Sequence, residues 1–119
     1  MNGTGFYEET AVTTQNSGRL VVMLYDGAIK FLTQAVKALQ AGDLEAKARN
    51  IGRAREIIFE LNTVLDVDAG GEVAHNLRTL YNFMNKHLTQ ANINNDVQMI
   101  RNVIALLKKL NEGWRAVTI

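Results

Sequence analysis

Residues Leu20 to Leu39, LVVMLYDGAIKFLTQAVKAL, carry more apolar surface than a helix packed on one side can hide. At about 100° per residue, the polar side chains Arg19, Asp26, Lys30, Thr33, Gln34, Lys37 and Gln40 fall within about 120° of one another. The rest of the wheel is apolar, whereas a surface helix needs a stripe only ~100° wide or somewhat more. Leu20, Leu24, Ala28, Phe31 and Ala35 form one ridge, and Val21, Tyr25, Ile29, Leu32, Val36 and Leu39 form a second beside it. Either ridge can line a core. Two readings follow: the chain's own helices bury both ridges, or a partner covers one of them.

What surrounds this segment is helical by the same reasoning. The chain has no proline, and most of its glycines stand at segment edges. Asn16 or Ser17 is a plausible N-cap for the first long helix, which ends near Gln40 with Gly42 placed for a left-handed cap. Asp43 is the expected N-cap of a second helix reaching about Val64, with Leu44, Ala48, Ile51, Ile58, Leu61 and Leu65 on its inner side. Arg49, Arg53, Glu56 and Glu60 read as its solvated face, while Arg55 and Asn62 intrude on the inner side.

Asp66 to Gly71, DVDAGG, is a loop by composition. A third helix is expected from about Glu72 to Asn92, its stripe running from Val73 through Leu77, Tyr81, Met84 and Leu88 to Ala91, with Phe83 off the stripe. A fourth, capped near Asn95 and extending to about Val117, has Ile100, Val103, Leu107 and Trp114 inside, with Met99, Leu106 and Val117 widening the arc. Four helices joined by short loops specify an all-α fold, an antiparallel up-down four-helix bundle. We treat residues 1–119 as a single domain. Within it, residues 1–16 form a short N-terminal arm, mobile or helical, carrying Phe6 and Tyr7.

A chain of 119 residues can bury a core without a metal or disulfide staple, and the absence of cysteine fits a reducing compartment. No apolar run approaches the ~20 residues of a membrane span, so no membrane insertion is expected, and MNGTGFYEET lacks the parts of a signal peptide. Cytosolic residence is the expectation. Thirteen basic and twelve acidic side chains leave a net charge of +1, with the bases scattered through every helix. Nucleic acid is therefore not an expected partner, because phosphate binding wants a concentrated cationic footprint.

Catalytic chemistry finds no constellation. Glu72-Val-Ala-His75 is one Glu-x-x-His pair, but a di-iron bundle needs a second pair and two more inward carboxylates. His75 also lacks the neighbouring lysine and glycine of a phosphotransfer histidine. His75 and His87 are expected at the surface, and Glu56 with Glu60 as solvated acids rather than an acid/base pair. There is no cysteine nucleophile and no glycine-rich phosphate loop. Neither an enzyme, a metal nor a cofactor is expected.

Met23-Leu24-Tyr25-Asp26-Gly27-Ala28, Gly70-Gly71-Glu72 ahead of Leu77 and Leu80-Tyr81, Ala91-Asn92 before Asp96, and the closing Trp114, in this order and at these spacings, resemble the flagellar export chaperone family, FliS. The resemblance runs from Val12 to Trp114. It implies a cytosolic chaperone that holds the disordered C-terminal segment of flagellin, prevents its premature polymerisation and delivers it to the cytoplasmic domain of the export gate. Tyr7 stands where relatives carry an N-terminal tyrosine. In the family that arm is thought to cover the empty cargo groove and to serve in gate docking, and Phe6 and Tyr7 are its candidates here. Relatives often start the first helix with Ser-Pro where this chain has Asn16-Ser17, so a looser hinge is expected.

The candidate flagellin contacts are Val21, Tyr25, Ile29 and Leu32, with Phe83 and Met99 as flanks. Two alternatives remain at this point: a generic helical adaptor for another amphipathic peptide, and a structural bundle forming a weak homo-oligomer through its surplus ridge.

Overall fold

The computed structural model describes the backbone from Gly3 to Thr118 and the side chains from Gly18 to Thr118. Four helices follow in order: α1 (Gly3–Gln40), α2 (Leu44–Thr63), α3 (Val67–Asn94) and α4 (Val97–Val117). Each packs on its neighbours in sequence, and α4 closes the ring on α1, so the diagonal pairs meet only through side chains. The antiparallel bundle expected from the four amphipathic segments is the fold.

The connections explain why the helices stop where they do. Gly42 (φ 79°) and Asn95 (φ 52°) each take the left-handed conformation that ends a helix. The next residue, Asp43 or Asp96, then bonds back through its own N–H to Ala38 O (2.9 Å) or Ala91 O (3.0 Å). The same aspartate starts the following helix, its carboxylate accepting from Ala46 N (3.0 Å) or Met99 N (3.2 Å). One device thus builds both turns at this end of the bundle. It also corrects the expected cap of the fourth helix from Asn95 to Asp96, because the shorter carboxylate-to-amide reach is satisfied only after the left-handed residue.

Two other expectations change. Helix α1 does not begin at Asn16 or Ser17 but continues unbroken from Gly3, no proline being present to halt it. The Asp66–Gly71 segment is not an open loop. Asp66 caps a helical turn by accepting from Ala69 N at 3.0 Å, and Gly71 then bends the chain at φ 57°, ψ −135°, a combination only glycine adopts without strain. The side chains of residues 1–17, and with them Phe6 and Tyr7, lie outside the described residues.

The core is a stack of side chains at helical spacing, including Tyr25, Ala28, Leu32 and Ala35 of α1, Ile51, Ala54 and Ile58 of α2, Tyr81, Met84 and Leu88 of α3, and Ile100, Val103 and Leu107 of α4. Alanines 28, 35 and 54 are fully buried small side chains on α1 and α2, which leave room for close packing of the two helices. Leu44, expected inside, is half exposed, and Lys47 takes an interior place at 5% exposure. Its alkyl stem is buried while Nζ donates to Asn92 O (2.9 Å) and Asn95 Oδ1 (2.6 Å), tying the start of α2 to the end of α3. Arg55 is exposed, and Asn62 bridges to α3 through Asn82 and Arg78.

Candidate functional site

Three successive residues of α1 fasten it to all three other helices. The Tyr25 hydroxyl meets that of Tyr81 on α3 at 2.6 Å, across the diagonal of the bundle. Asp26 accepts from Asn111 Nδ2 (2.9 Å) and from Arg115 NH2 (2.5 Å) on α4. Gly27 faces α2 so closely that a Cβ there would stand 3.3 Å from Ile57 Cδ1.

This clamp lies under the end of the bundle where α2 turns into α3, and there the core is left open. A cleft of about 390 Å³ runs from Val21 past Leu61, Val64 and Leu65 to Ala69, Val73, Ala74 and Leu77, with Tyr81 and Trp114 at its base. Asp66 is the single charged residue in this lining, and its carboxylate is engaged with Ala69 N. The cleft exists because Gly71 swings the first turn of α3 off the helix axis, separating the apolar residues before the bend from those after it.

The floor is aromatic and uncharged. Tyr25 and Tyr81 pack edge to face with ring centroids 6.4 Å apart, and Trp114 lies against Tyr25 at the same separation. Burial pushes the Tyr25 phenol above its ordinary value, partly offset by the hydrogen bond to Tyr81 and the adjacent Trp114 ring. Burial likewise raises Tyr81, with the bond to Tyr25 acting in the same direction. Both hydroxyls stay neutral through the physiological range.

The rim of the cleft presents apolar side chains to solvent. Val64 is 54% exposed and Val73 is 69% exposed. Leu20, Phe59 and Val117, also exposed, belong to the same end of the bundle. Burying such side chains is worth about 25 cal/mol per Å², so the cleft favours an apolar segment of a partner over water.

The sequence-derived contact residues divide on this geometry. Val21 lines the cleft. Tyr25 and Leu32 are 0% exposed and belong to the scaffold, so neither touches a docked chain unless the bundle opens. Ile29 and Met99 are half-buried against the core, away from the cleft lining. Phe83 is 47% exposed on α3 and stacks on His87, centroids 5.0 Å apart. His75 is at the surface as expected, but His87 is only partly so, with its Nε2 buried.

Sequence reasoning had Leu61, Leu65, Ala74 and Leu77 as ordinary inner-face residues and had no role for Val64 or Ala69. The signal that would have exposed them is Asp66 followed by Gly70-Gly71, a capped turn ahead of a bend. Among the described residues no group of three His, Asp or Glu side chains is placed to hold a metal, and no helix is long and apolar enough to cross a membrane.

Comparison with known proteins bears on an apolar end cleft of this kind. The family model described as flagellar protein FliS matches residues 1–119. The chain is 40% identical over 111 residues to the flagellar secretion chaperone FliS of Salmonella typhimurium, covering 92% of this chain and 82% of that protein. With the FliS chaperone of Vibrio cholerae it shares 38% identity over 112 residues, 91% of this chain and 82% of the relative. The Escherichia coli chaperone is 33% identical over 108 residues, 90% and 79% of the two chains. A match along the whole chain, together with identities of this size over nine tenths of it, places this protein in the FliS family of flagellar secretion chaperones.

Proposed function

We propose that this protein is a cytoplasmic flagellar secretion chaperone that receives the disordered C-terminal segment of flagellin in the cleft between Val21, Val64, Val73 and Trp114. The observation that carries this reading is the open, almost wholly apolar cleft at the end of the bundle where α2 turns into α3, above a packed core. A flagellin tail would otherwise bury its apolar residues against neighbouring subunits. The cleft offers equivalent burial at a place from which polymerisation cannot propagate. Ordering the tail on binding consumes part of the contact energy, which keeps a large contact reversible.

Val21 and the cleft rim make the primary contacts in this reading, and Phe83 and Met99 serve a tail that continues along the bundle, while Ile29 faces the α1–α4 side and lies off that path. Tyr25 and Leu32 act indirectly by holding the floor. Phe6 and Tyr7 precede Val21 in the chain; they engage the cytoplasmic domain of the export gate, and they cover the empty cleft when the segment ahead of Val21 folds back on the bundle.

The test is calorimetric titration with a synthetic flagellin C-terminal segment from the same genome, followed by circular dichroism of the mixture. Saturable binding with a negative heat-capacity change and helix beyond the sum of the parts is expected. Val73→Asp should weaken it by about tenfold or more, since a carboxylate would be desolvated in the cleft, while stability changes by no more than about 0.5 kcal/mol at so exposed a position. No heat at several temperatures and no gain of helix would reject flagellin as the cargo.

A further inference from the structure

The near-neutral net charge hides a strong asymmetry that the fold creates. Helix α1 exposes Arg19, Lys30 and Lys37 against Asp26, and α4 exposes Arg101, Lys108, Lys109 and Arg115 against Glu112. Residues 41–96, which hold α2, α3 and the turns, carry eight acidic and six basic side chains. Among the residues with described side chains, α1 and α4 thus carry seven of the thirteen bases against two acids, and one of those acids, Asp26, is already paired with Arg115.

That side is also grooved. One recess of about 400 Å³ is lined by Arg19, Val22, Met23, Arg115 and Thr118. A second, of about 320 Å³, is lined by Asp26, Ile29, Lys108, Asn111, Glu112 and Arg115. Arg115 borders both. Along α1 the second recess begins seven residues after the first, about 10 Å at 1.5 Å per residue, which is the separation of side chains at i and i+7 on a docked helix. Met23 is exposed and apolar at the centre of the first recess, and Ile29 supplies an apolar wall in the second. Neither recess shares a residue with the end cleft.

From these observations we infer that the α1–α4 groove is a second docking surface, separate from the cargo cleft, for an acidic amphipathic helix of a partner protein. Two apolar side chains of that helix, seven residues apart, seat in the recesses. Its flanking carboxylates face Arg19, Lys30 and Lys108. Charge complementarity selects the sign of the partner and speeds its arrival. The recesses select a helix over an anionic membrane or a nucleic-acid backbone, since neither a flat headgroup layer nor a phosphate chain supplies two apolar knobs at this spacing. A chaperone loaded at its end cleft therefore keeps a free face by which a second protein can hold it.

The experiment uses the full chain and a synthetic 18-residue helical peptide with two leucines seven residues apart and glutamates on either side of them. Fluorescence anisotropy should show saturable binding that weakens with added salt. It should fall about tenfold or more for Arg19→Glu/Lys108→Glu and for the peptide with both leucines replaced by alanine, with an unchanged thermal melt of the protein variant. Val73→Asp, or saturation with the flagellin segment, should leave it unchanged, so failure of the cleft assignment and failure of this one are separate results. Equal binding of a lysine-for-glutamate peptide, insensitivity to the charge reversal, displacement by the flagellin segment, or binding of phosphatidylglycerol vesicles or RNA in place of the peptide would overturn it.

Discussion

Removing the two hydroxyls that meet across the bundle, singly and together, tests whether the floor of the cleft is held as the structure indicates. In Tyr25→Phe the Tyr81 hydroxyl loses the one partner it has among the described residues and stays buried, Tyr81 being 1% exposed. A lost hydrogen bond costs about 1 kcal/mol net, and stranding a buried hydroxyl adds about as much again or more, so a loss of about 2 kcal/mol is expected. Tyr81→Phe should cost a similar amount, about 2 kcal/mol, because the Tyr25 hydroxyl, 0% exposed, is stranded in the same way. The double variant strands nothing and should lose only about 1 kcal/mol in total, giving a coupling of about 3 kcal/mol. Urea unfolding reads this directly. With a slope of about 2 kcal/mol per M, Tyr25→Phe should shift the midpoint by about 1 M and the double variant by about half that. Strictly additive losses in the two single variants would refute the reasoning.

Three further outcomes follow from the same geometry. Stability should be insensitive to the two phenols below pH 10 and should decline above it. Their folded pKa values are raised from 10.0, so the stabilisation is fully present below the unfolded value and is lost as pH climbs from there towards the folded one; the double phenylalanine variant should flatten this alkaline limb in a pH series of melts. Gly71→Ala, forced into φ 57°, ψ −135°, should cost about 1–3 kcal/mol and also weaken the flagellin segment, because the bend that opens the cleft is disturbed; unchanged affinity in a correctly folded variant would detach the bend from the site. Lys47→Met keeps the buried stem but removes the donor to Asn92 O and Asn95 Oδ1, and a loss of about 1–3 kcal/mol by chemical denaturation is expected.

How much could be read before the structure depended on whether the deciding interaction was local. Gly42 and Asp43 mark the first turn because a left-handed residue and a side-chain cap act within a few residues of themselves. The excess apolar surface of Leu20–Leu39 announced a central helix for the same reason. Lys47 was invisible because lysine is ordinarily solvated and its acceptors lie on another helix, 45 and 48 positions away. The two ridges of α1 could not be ranked, since only the packing of α2, α3 and α4 decides that Tyr25 and Leu32 are sealed while Val21 reaches the cleft. The cleft itself was half legible. Its apolar residues were identifiable, but their opening to solvent is produced by one backbone angle at Gly71.

Tyr25, Asp26 and Gly27 have a consequence for how α1 can sit at all. Successive helical residues are turned by about 100°, so these three look in three directions from less than one turn of helix. Sliding α1 by one residue would swing every one of them off its target. Sliding it by seven restores the direction to within about 20° but brings Gly18, Arg19 and Leu20, or Leu32, Thr33 and Gln34, to those places, and none of these triplets offers a phenol, a carboxylate and a bare backbone in that order. The helix works like a key with three adjacent teeth, admitted at one depth and one rotation only. An apolar helix of this kind would otherwise have many greasy ways to pack, and the tripeptide leaves it a single register.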